Sequence, residues 1–223
     1  MTLEKPKMKF MNTTKKQIFC KSCFEKIKLS PYRNFIENNP ILCDKCISQI
    51  KVKLEIKKIF NIPILFISEY DGLLKSMLMN YKEYGDIELA PCFLSLFLPV
   101  IKTFSLGYTF IPCPSSEARI EKRGFDHLST ILKSSNLKYE NLLIKNSIEE
   151  QKNSVGLSRF LDKGISLVEN KERDTDKFIL FDDVFTTGST FEQSLVQLKK
   201  LNPKRIKGMI IMDNYNPQKI KLH

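Results

Sequence analysis

Residues 178–190 read Phe-Ile-Leu-Phe-Asp-Asp-Val-Phe-Thr-Thr-Gly-Ser-Thr: an apolar run, two adjacent carboxylates and a hydroxyl-rich segment around one glycine. Phe178 to Phe181 have the length and composition of a buried strand, and apolar residues recur at helical spacing from 191 to 201. We therefore expect Thr186 to Thr190 to form a turn between a strand and a helix. Such a turn aims free backbone N–H groups and the positive end of a helix dipole at one point, where a phosphate can bind.

The side chains of this segment suit a sugar phosphate. Gly188 allows the backbone to approach a ligand closely, and four hydroxyls can donate to a phosphate, those of Thr186, Thr187, Ser189 and Thr190. Asp182 and Asp183 are expected at the carboxyl end of the strand, where open α/β sheets bind ligands. There they could accept hydrogen bonds from ribose hydroxyls or hold a hydrated magnesium ion. The alternative is an ordinary acidic turn, and the sequence contains neither a Walker A loop nor a G-x-G-x-x-G loop.

The segment closely resembles the phosphoribosyl-pyrophosphate signature of type I phosphoribosyltransferases, and the chain from roughly residue 18 to 212 resembles the ComF family of competence proteins. Three further stretches support the narrower resemblance: residues 70–86 with Tyr-Asp-Gly-Leu-Leu-Lys, Tyr-Lys and Gly-Asp, the Pro-x-Pro loop of Ile111–Ser116, and Lys122–Asp126 with Arg-Gly-Phe. The resemblance implies an α/β fold with a parallel sheet flanked by helices, as in type I phosphoribosyltransferases, and a small N-terminal zinc-binding module. Strands alternating with helical patterns favour the same sheet.

A second cradle is needed for a pyrophosphate, and the loop after the predicted strand Tyr108–Ile111 is the best candidate. It offers Cys113, Pro114, Ser115 and Ser116, followed by basic residues that could neutralise phosphate, Arg119, Lys122 and Arg123. A solvated basic helix start is the alternative for those three side chains. We favour packing in the core over base stacking for Phe125.

The chain departs from the family pattern in two places. Asp126-His127 stands where the motif has Asn-Gln, which adds a negative charge that disfavours a contact between Asp126 and phosphate, and we expect His127 to be a surface or helix-capping histidine. Arg159 is a candidate for a missing phosphate-side cation in a second, weakly matched element.

Four cysteines have the spacing of a tetrahedral zinc site. Cys20, Cys23, Cys43 and Cys46 form C-x2-C, nineteen residues, C-x2-C. A segment this short cannot bury enough apolar surface to fold alone, so the metal would supply the missing folding free energy. Free or disulfide-bonded thiols are the alternative, and Cys92 and Cys113 are expected to be packed residues rather than ligands.

Positive charge is concentrated at the N-terminal side. Residues 1–62 contain 14 Lys or Arg against 5 Asp or Glu, whereas the remaining 161 residues contain 22 against 20. This distribution is typical of a polyanion-binding module beside a nearly neutral ligand-binding domain, although a solvated lysine-rich surface looks the same. Four aromatic residues of this region, Phe19, Phe24, Tyr32 and Phe35, could stack on bases, but we favour a small core around the metal site.

These observations divide the chain into a flexible basic tail (1–17), a four-cysteine zinc module (18–50), a charged connector (51–61) that could be helical, a phosphoribosyltransferase-like domain (62–214) and a C-terminal tail (215–223). Further strands are expected at 62–67, 141–145 and 207–212. The polar stretch 147–170 resembles the long loop that phosphoribosyltransferases close over their site, although an exposed connector would look the same. Residues 89–101 predict a buried helix too short to span a bilayer, and no secretory signal is recognised, so we expect a cytoplasmic protein that does not span a membrane.

The resemblance implies a protein of natural transformation that handles incoming single-stranded DNA and binds phosphoribosyl pyrophosphate with Mg²⁺, or another 5-phosphoribosyl ligand. Its partners would be single-stranded DNA and other DNA-uptake proteins. The alternative is a metabolic phosphoribosyltransferase, in which a nucleobase or another small acceptor displaces pyrophosphate at the anomeric carbon. The fold alone does not decide between them, because the same loop occurs in enzymes, regulators and binders.

Overall fold

A computed structural model describes residues 17–28, 40–145, 164–168 and 175–215. The strands are β1 (Val52–Ile59), β2 (Ile62–Glu69), β3 (Thr109–Pro112), β4 (Leu143–Lys145), β5 (Ile165–Leu167), β6 (Lys177–Phe185) and β7 (Arg205–Asp213). The α-helices are α1 (Asp44–Ile47), α2 (Gly72–Glu83), α3 (Leu98–Phe104), α4 (Glu117–Arg123), α5 (His127–Ser134) and α6 (Ser189–Lys199). Two 3₁₀ helices, Ile87–Phe93 and Ser95–Phe97, precede α3. The predicted basic tail up to residue 16, Tyr32, Phe35, Arg159, most of the predicted 147–170 loop and the C-terminal tail from 216 lie outside the described residues.

Five strands form one sheet in the order β1-β2-β7-β6-β3, in which β2, β7, β6 and β3 are parallel. The predicted parallel sheet is therefore confirmed, with an antiparallel edge strand, β1, added to it. The carboxyl ends of the parallel strands lie on the same side of the sheet, which brings the loops after β3 and β6 close together. Open α/β sheets bind ligands at these carboxyl ends.

Burial on both faces explains why the central strands read as continuous apolar runs. Residues 178–181 of β6 and 208–212 of β7 are fully buried. Helix α6 covers one face with Phe191, Leu195 and Leu198, at the helical spacing predicted from the sequence. Gly208 of β7 lies under the Phe191 ring, where an added Cβ would come within 2.7 Å of Cζ, so the strand needs a residue without a side chain there.

The predicted helical conformation of the connector is wrong, because residues 52–59 form β1 and pair with β2. Its sequence reads as polar because one face of an antiparallel edge strand stays in solvent. Lys53 and Lys57 of this strand instead pair with Asp213, at Nζ–Oδ2 distances of 2.8 and 2.9 Å. Four of the 14 basic residues counted in 1–62, Lys51, Lys53, Lys57 and Lys58, thus lie on or beside the sheet rather than in the cysteine module.

The apolar stretch around residue 95 is a broken helical segment of the core. Within the described residues, Ile87–Phe104 has the length and composition of a membrane-spanning helix, with 18 residues and a mean hydropathy of 1.6. However, it is divided into the two 3₁₀ helices and α3, with Pro91 inside the first of them. Phe93, Phe97 and Ile101 are buried, and the Phe93 ring packs 5.3 Å from that of Tyr81. The sequence predicted one buried helix here, and the prolines explain why three shorter elements form.

Candidate functional site

The phosphate turn lies between β6 and α6. Strand β6 continues to Phe185, four residues beyond the predicted end, so Asp182 and Asp183 lie within it. The turn proper is Thr186–Gly188, and Ser189 and Thr190 already belong to the first turn of α6. The first N–H groups of that helix lack intrahelical partners and open toward the turn, as anion binding requires.

Gly188 is required by this turn for two reasons. Its φ of +75° lies in the left-handed region, and an added Cβ would come within 2.6 Å of Phe185 Cζ. The Phe185 ring is itself fixed by neighbouring aromatic rings, with centroid distances of 5.6 Å to Phe66 and 5.8 Å to Phe191. A small cavity of about 250 Å³ lies inside the turn and is lined by Asp182, Val184 and residues 185–191.

The two carboxylates of β6 have different environments. Asp183 is buried, and its Oδ2 forms an ion pair with Lys82 Nζ and lies 2.8 Å from Nε2 of His127. Burial disfavours the charged form of Asp183, but the charge of Lys82 and the contact with His127 outweigh it and hold its pKa well below the usual range. Asp183 is therefore a structural anion rather than a group free to titrate.

Asp182 is the carboxylate that the ligand space can reach. Its Oδ1 accepts a hydrogen bond of 2.9 Å from the Asp183 backbone N–H. Burial raises the pKa of Asp182, and the neighbouring Asp183 charge raises it further, to about 7. A carboxyl group that titrates near neutrality can accept hydrogen bonds from sugar hydroxyls when ionised and can donate one when protonated.

The predicted pyrophosphate loop follows β3 and faces the acidic pair. The Cys113 N–H donates to the Phe181 carbonyl at 2.8 Å, which anchors the start of the loop to β6. Burial raises the pKa of the Cys113 thiol well above its usual range, so this thiol stays neutral and packed, as the sequence predicted. Ser115 Oγ lies 3.2 Å from Nδ1 of His127, and Ser116 precedes α4 as its N-cap residue.

His127 is not the surface or capping histidine that the sequence predicted. It is only 6% exposed and lies between Ser115 and Asp183. The capping role belongs to Asp126, which accepts from the Leu128 and Ser129 N–H groups at the start of α5. Asn caps helices as well as Asp does, and glutamine, like neutral histidine, carries both a nitrogen donor and an acceptor atom, so an Asp-His pair can make the kinds of contact that an Asn-Gln pair would make.

The sequence also missed Lys82, which the 70–86 segment delivers to the site. Asp71 caps helix α2 by accepting from the Gly72 N–H at 2.6 Å, and Lys82 lies near the other end of that helix. Tyr81 donates a hydrogen bond of 2.8 Å from its hydroxyl to the His127 carbonyl, and its ring packs at a tilt against that of Phe125, with the centroids 5.0 Å apart. Phe125 is thus packed, as predicted. Lysine pairing across the fold leaves no local pattern, so only the Tyr-Lys stretch of the resemblance pointed here.

The remaining predicted cations divide into two groups. Arg119 of α4 lines the cleft above the acidic pair, together with Lys145 of β4. Arg123 instead donates from Nε to the Lys82 carbonyl at 3.1 Å, and its guanidinium lies over the Phe125 ring. It therefore contacts residues next to the cleft but does not line the cleft itself. Lys122 is directed to solvent, with its Nζ 4.0 Å from Glu83.

These groups form one continuous site along the carboxyl edge of the sheet. An open cleft of about 540 Å³ adjoins the smaller cavity of the phosphate turn, and the two share Asp182, Val184 and Thr190. The cleft is lined by Lys82, Cys113, Pro114, Ser115, Arg119, His127, Lys145, Asp182, Asp183, Val184 and Thr190. A helix N-terminus, a half-buried acid and a loop flanked by Arg119 and Lys145 thus follow one another along this site.

The four predicted metal ligands converge at a second site. The Sγ atoms of Cys20 and Cys46 are 3.7 Å apart, those of Cys23 and Cys43 are 3.5 Å apart, and all four lie within 4.8 Å of one another. Four sulfurs bound at about 2.3 Å to one zinc ion in a tetrahedron are about 3.8 Å apart, so the cluster fits the metal.

The aromatic residues of this module differ from the prediction. Phe19 and Phe24 are 53% and 74% exposed, so they do not form the expected small core. Lys26 pairs with Phe19 in an isolated β-bridge and is exposed, as is Lys28. Two other lysines of the described module form ion pairs that offset their charge: Lys21 pairs with Glu88, and Lys45 pairs with Glu25.

Sequence comparison finds two curated competence proteins among the relatives of this chain. Competence protein ComFC of Bacillus subtilis is 30% identical over 126 residues, which cover 54% of this chain and 51% of the relative. Competence protein ComFC of Streptococcus pneumoniae is 26% identical over 145 residues, 62% of each chain. The match thus spans between half and two thirds of these relatives. No family model matches the chain.

Structure comparison finds phosphoribosyltransferases at low similarity. A hypoxanthine-guanine phosphoribosyltransferase of Bacillus anthracis has a TM-score of 0.34 and 12% identity, covering 59% of this chain and 70% of its own. A hypoxanthine phosphoribosyltransferase of Staphylococcus aureus has a TM-score of 0.36 and 10% identity, covering 61% and 68%. Likenesses at this level carry no weight beside the sheet order and the motif itself. The chain is thus similar to two ComFC competence proteins over half to two thirds of its length, and its mostly parallel sheet, with the motif after β6, has a type I phosphoribosyltransferase-like architecture.

Proposed function

We propose that this protein acts in natural transformation, where it handles incoming single-stranded DNA in the cytoplasm and binds phosphoribosyl pyrophosphate or another 5-phosphoribosyl ligand in the cleft. The competence role comes from the two ComFC relatives. The ligand is supported above all by one observation: the phosphate turn, Asp182 and the loop 113–116 line two cavities that share residues and so form one groove.

In this proposal each segment of the groove would bind one part of the ligand. The turn Thr186–Gly188 and the start of α6 would bind the 5-phosphate through N–H groups and hydroxyls. Asp182 would accept hydrogen bonds from the ribose hydroxyls. The pyrophosphate loop, with Arg119 and Lys145 beside it, would face the diphosphate.

Magnesium would accompany a diphosphate in this groove. Oxygen ligands and retained water molecules are what Mg²⁺ prefers, and the partly buried carboxylate of Asp182 is a suitable oxygen. Bound to the diphosphate, the ion would neutralise its charge, which the cations of the cleft alone do not balance. Positioning and electrostatic stabilisation of the diphosphate would then be the main contributions of the protein to any transfer.

The four-cysteine module is the proposed DNA-binding part, with a zinc ion held by Cys20, Cys23, Cys43 and Cys46. Exposed aromatic rings beside lysines are the usual surface for single strands, because bases stack on the rings while cations contact phosphates. Phe19, Phe24, Lys26 and Lys28 offer such a surface.

The ligand proposal is tested by calorimetric titration of phosphoribosyl pyrophosphate with Mg²⁺ into zinc-loaded protein. We expect binding that Asp182→Ala weakens at least tenfold, since a lost hydrogen bond to a charged group contributes about 1.5–3 kcal/mol. Lys122→Ala is the matched control, because its side chain points to solvent away from the cleft and its loss should leave affinity unchanged. Equal affinity in both variants would contradict the assignment of the groove.

The DNA proposal is tested by the affinity for a single-stranded oligonucleotide at two salt concentrations. Affinity should fall steeply as salt rises, and Phe24→Ala should lower it by about 1–3 kcal/mol for a lost stacking contact. Tyr84→Ala removes another exposed ring, outside the module, and serves as the control. Ligand binding without any DNA binding would instead favour the metabolic phosphoribosyltransferase, and transfer to nucleobases would then be assayed.

A further inference from the structure

His127 connects the two sides of the cleft. Its Nε2 lies 2.8 Å from Asp183 Oδ2 on β6, and its Nδ1 lies 3.2 Å from Ser115 Oγ in the pyrophosphate loop. The ring is nearly buried, and its backbone is held by the Tyr81 hydroxyl on its carbonyl and by the Asp126 cap at the start of α5. A side chain fixed from both directions has one orientation available.

The chemistry of the two neighbours decides the hydrogen positions. The Asp183 carboxylate is held ionised by Lys82, so it can only accept hydrogen bonds, and Nε2 must therefore carry a hydrogen. When Nε2 carries the single hydrogen of the ring, Nδ1 is an acceptor, and the Ser115 hydroxyl 3.2 Å away is the group that would donate to it. The charged or titratable side chains around this arrangement are Asp126, whose Oδ1 lies 3.9 Å from Nδ1, and those lining the cleft, Lys82, Cys113, Arg119, Lys145, Asp182 and Asp183.

We propose that His127 is a positioning residue that turns the Ser115 hydroxyl hydrogen away from the cleft, so that the pyrophosphate loop presents an acceptor oxygen there. This inference rests on the proposed function, because its consequence concerns the diphosphate. Diphosphate oxygens are acceptors, so the Ser115 oxygen suits a metal-bound water rather than a bare phosphate oxygen. The cleft should therefore prefer the magnesium complex of a diphosphate to the metal-free anion.

The first test measures the affinity for inorganic pyrophosphate, with Mg²⁺ and in magnesium-depleted buffer, using zinc-loaded protein. Wild type should bind the magnesium complex of pyrophosphate at least tenfold more tightly than metal-free pyrophosphate. His127→Gln keeps a donor and an acceptor, so its affinity for the magnesium complex should stay within about twofold of that of wild type. His127→Leu keeps neither, and its affinity for the magnesium complex should be about tenfold weaker. If His127 acts through Ser115, the double variant with Ser115→Ala should bind no more weakly than His127→Leu alone.

Two results would overturn the proposal in that test. One is a His127→Gln variant as weak as His127→Leu while its thermal midpoint is that of wild type. The other is a double variant whose fold-loss of affinity equals the product of the losses in His127→Leu and Ser115→Ala, which would show that the two side chains act independently. If His127→Leu fails to fold, the comparison of His127→Gln with Ser115→Ala remains and decides.

The second test needs no ligand and so separates this inference from the proposed function. The chain has two histidines, and ¹⁵N imidazole resonances of His127 are assigned by their loss in His127→Gln. We expect the Nε2–H tautomer, with an Nδ1 resonance that moves in Ser115→Ala. An Nδ1–H tautomer would refute the role of His127. A protein that shows the expected tautomer but binds no diphosphate would refute the proposed ligand instead.

Discussion

The cleft and the four-cysteine module are held together in opposite ways. The cleft draws Lys82, His127 and Asp183 from three separate parts of the chain and fixes them by ion pairing and burial within the sheet. The module draws its four ligands from two short C-x2-C segments and exposes Phe19 and Phe24 to solvent. One site therefore depends on the whole core, and the other would depend on one metal ion held by the four cysteines.

Zinc removal should have the largest effect, and it should be confined to the module. Structural zinc contributes about 10–16 kcal/mol in small thiolate sites, so Cys46→Ser should lose the metal and expose the module to protease. The sheet should stay folded, because its buried strands belong to the other region. Metal content and limited proteolysis measure both outcomes.

The matched control for that prediction is Cys92→Ala, which also removes a buried cysteine but lies outside the four-sulfur cluster. It should keep one zinc ion per chain. Loss of pyrophosphate binding in Cys46→Ser along with the metal would show that the two regions are not independent.

Charge removal at Asp183 should affect the cleft next most strongly. Asp183→Asn leaves Lys82 without a counter-ion in a largely buried position, and breaking such a pair costs about 3–5 kcal/mol. Asp182→Asn removes a carboxylate whose charged form burial disfavours, so at pH 8, above its pKa of about 7, the stability of this variant in urea should equal or exceed that of wild type. Equal destabilisation by the two substitutions would contradict the division of the acidic pair into a structural and a ligand-facing member.

Gly188→Ala should separate backbone strain from steric clash in the phosphate turn. Left-handed φ costs a residue with a Cβ about 1–2 kcal/mol, and the overlap with the Phe185 ring should add about 1–3 kcal/mol. Gly107→Ala provides the control, because Gly107 has the same φ of +75° and no atom within 4 Å of an added Cβ. The losses of unfolding free energy that chemical denaturation measures in the two variants should therefore differ by the cost of the clash alone. Equal losses would show that the Phe185 ring moves aside for the added Cβ.

Stability should also depend on pH through the titration of Asp182. The pKa of Asp182 is raised from its unfolded value to about 7, so the folded state binds more protons than the unfolded state between about pH 4 and 7. Stability of wild type should fall, relative to Asp182→Asn, as pH rises through that range. The lowered pKa of Asp183 acts only below pH 4 and does not oppose this trend. A constant difference between the two proteins from pH 5.5 to 8 would contradict it.

Local patterns account for what the sequence predicted. The apolar run of β6, the helical spacing of α6 and the cysteine spacing each depend on residues close together in the chain, and each is present in the structure. The antiparallel edge strand β1 was missed because a half-exposed strand rich in lysine resembles a polar helix.

The partners of Asp183 could not be predicted, because tertiary pairing leaves no periodic signal. His127 was assigned to the surface since nothing beside it in sequence could bind it, yet its two partners lie in other elements. Lys82 was visible only as part of a resembling stretch. Local sequence patterns thus predict the two loops of this site but not the side chains that connect them.

Strand β1 also bears on aggregation. It shields β2, whose residues 64–67 are buried, and it limits pairing with other chains by a register shift between Val52 and Glu55 and by the inward lysines 53 and 57. The opposite edge, β3, is only four residues long. A chain shortened to its sheet domain at residue 62, the first residue of β2, would uncover an apolar strand edge and should precipitate, whereas one that begins at Lys51 should stay in solution.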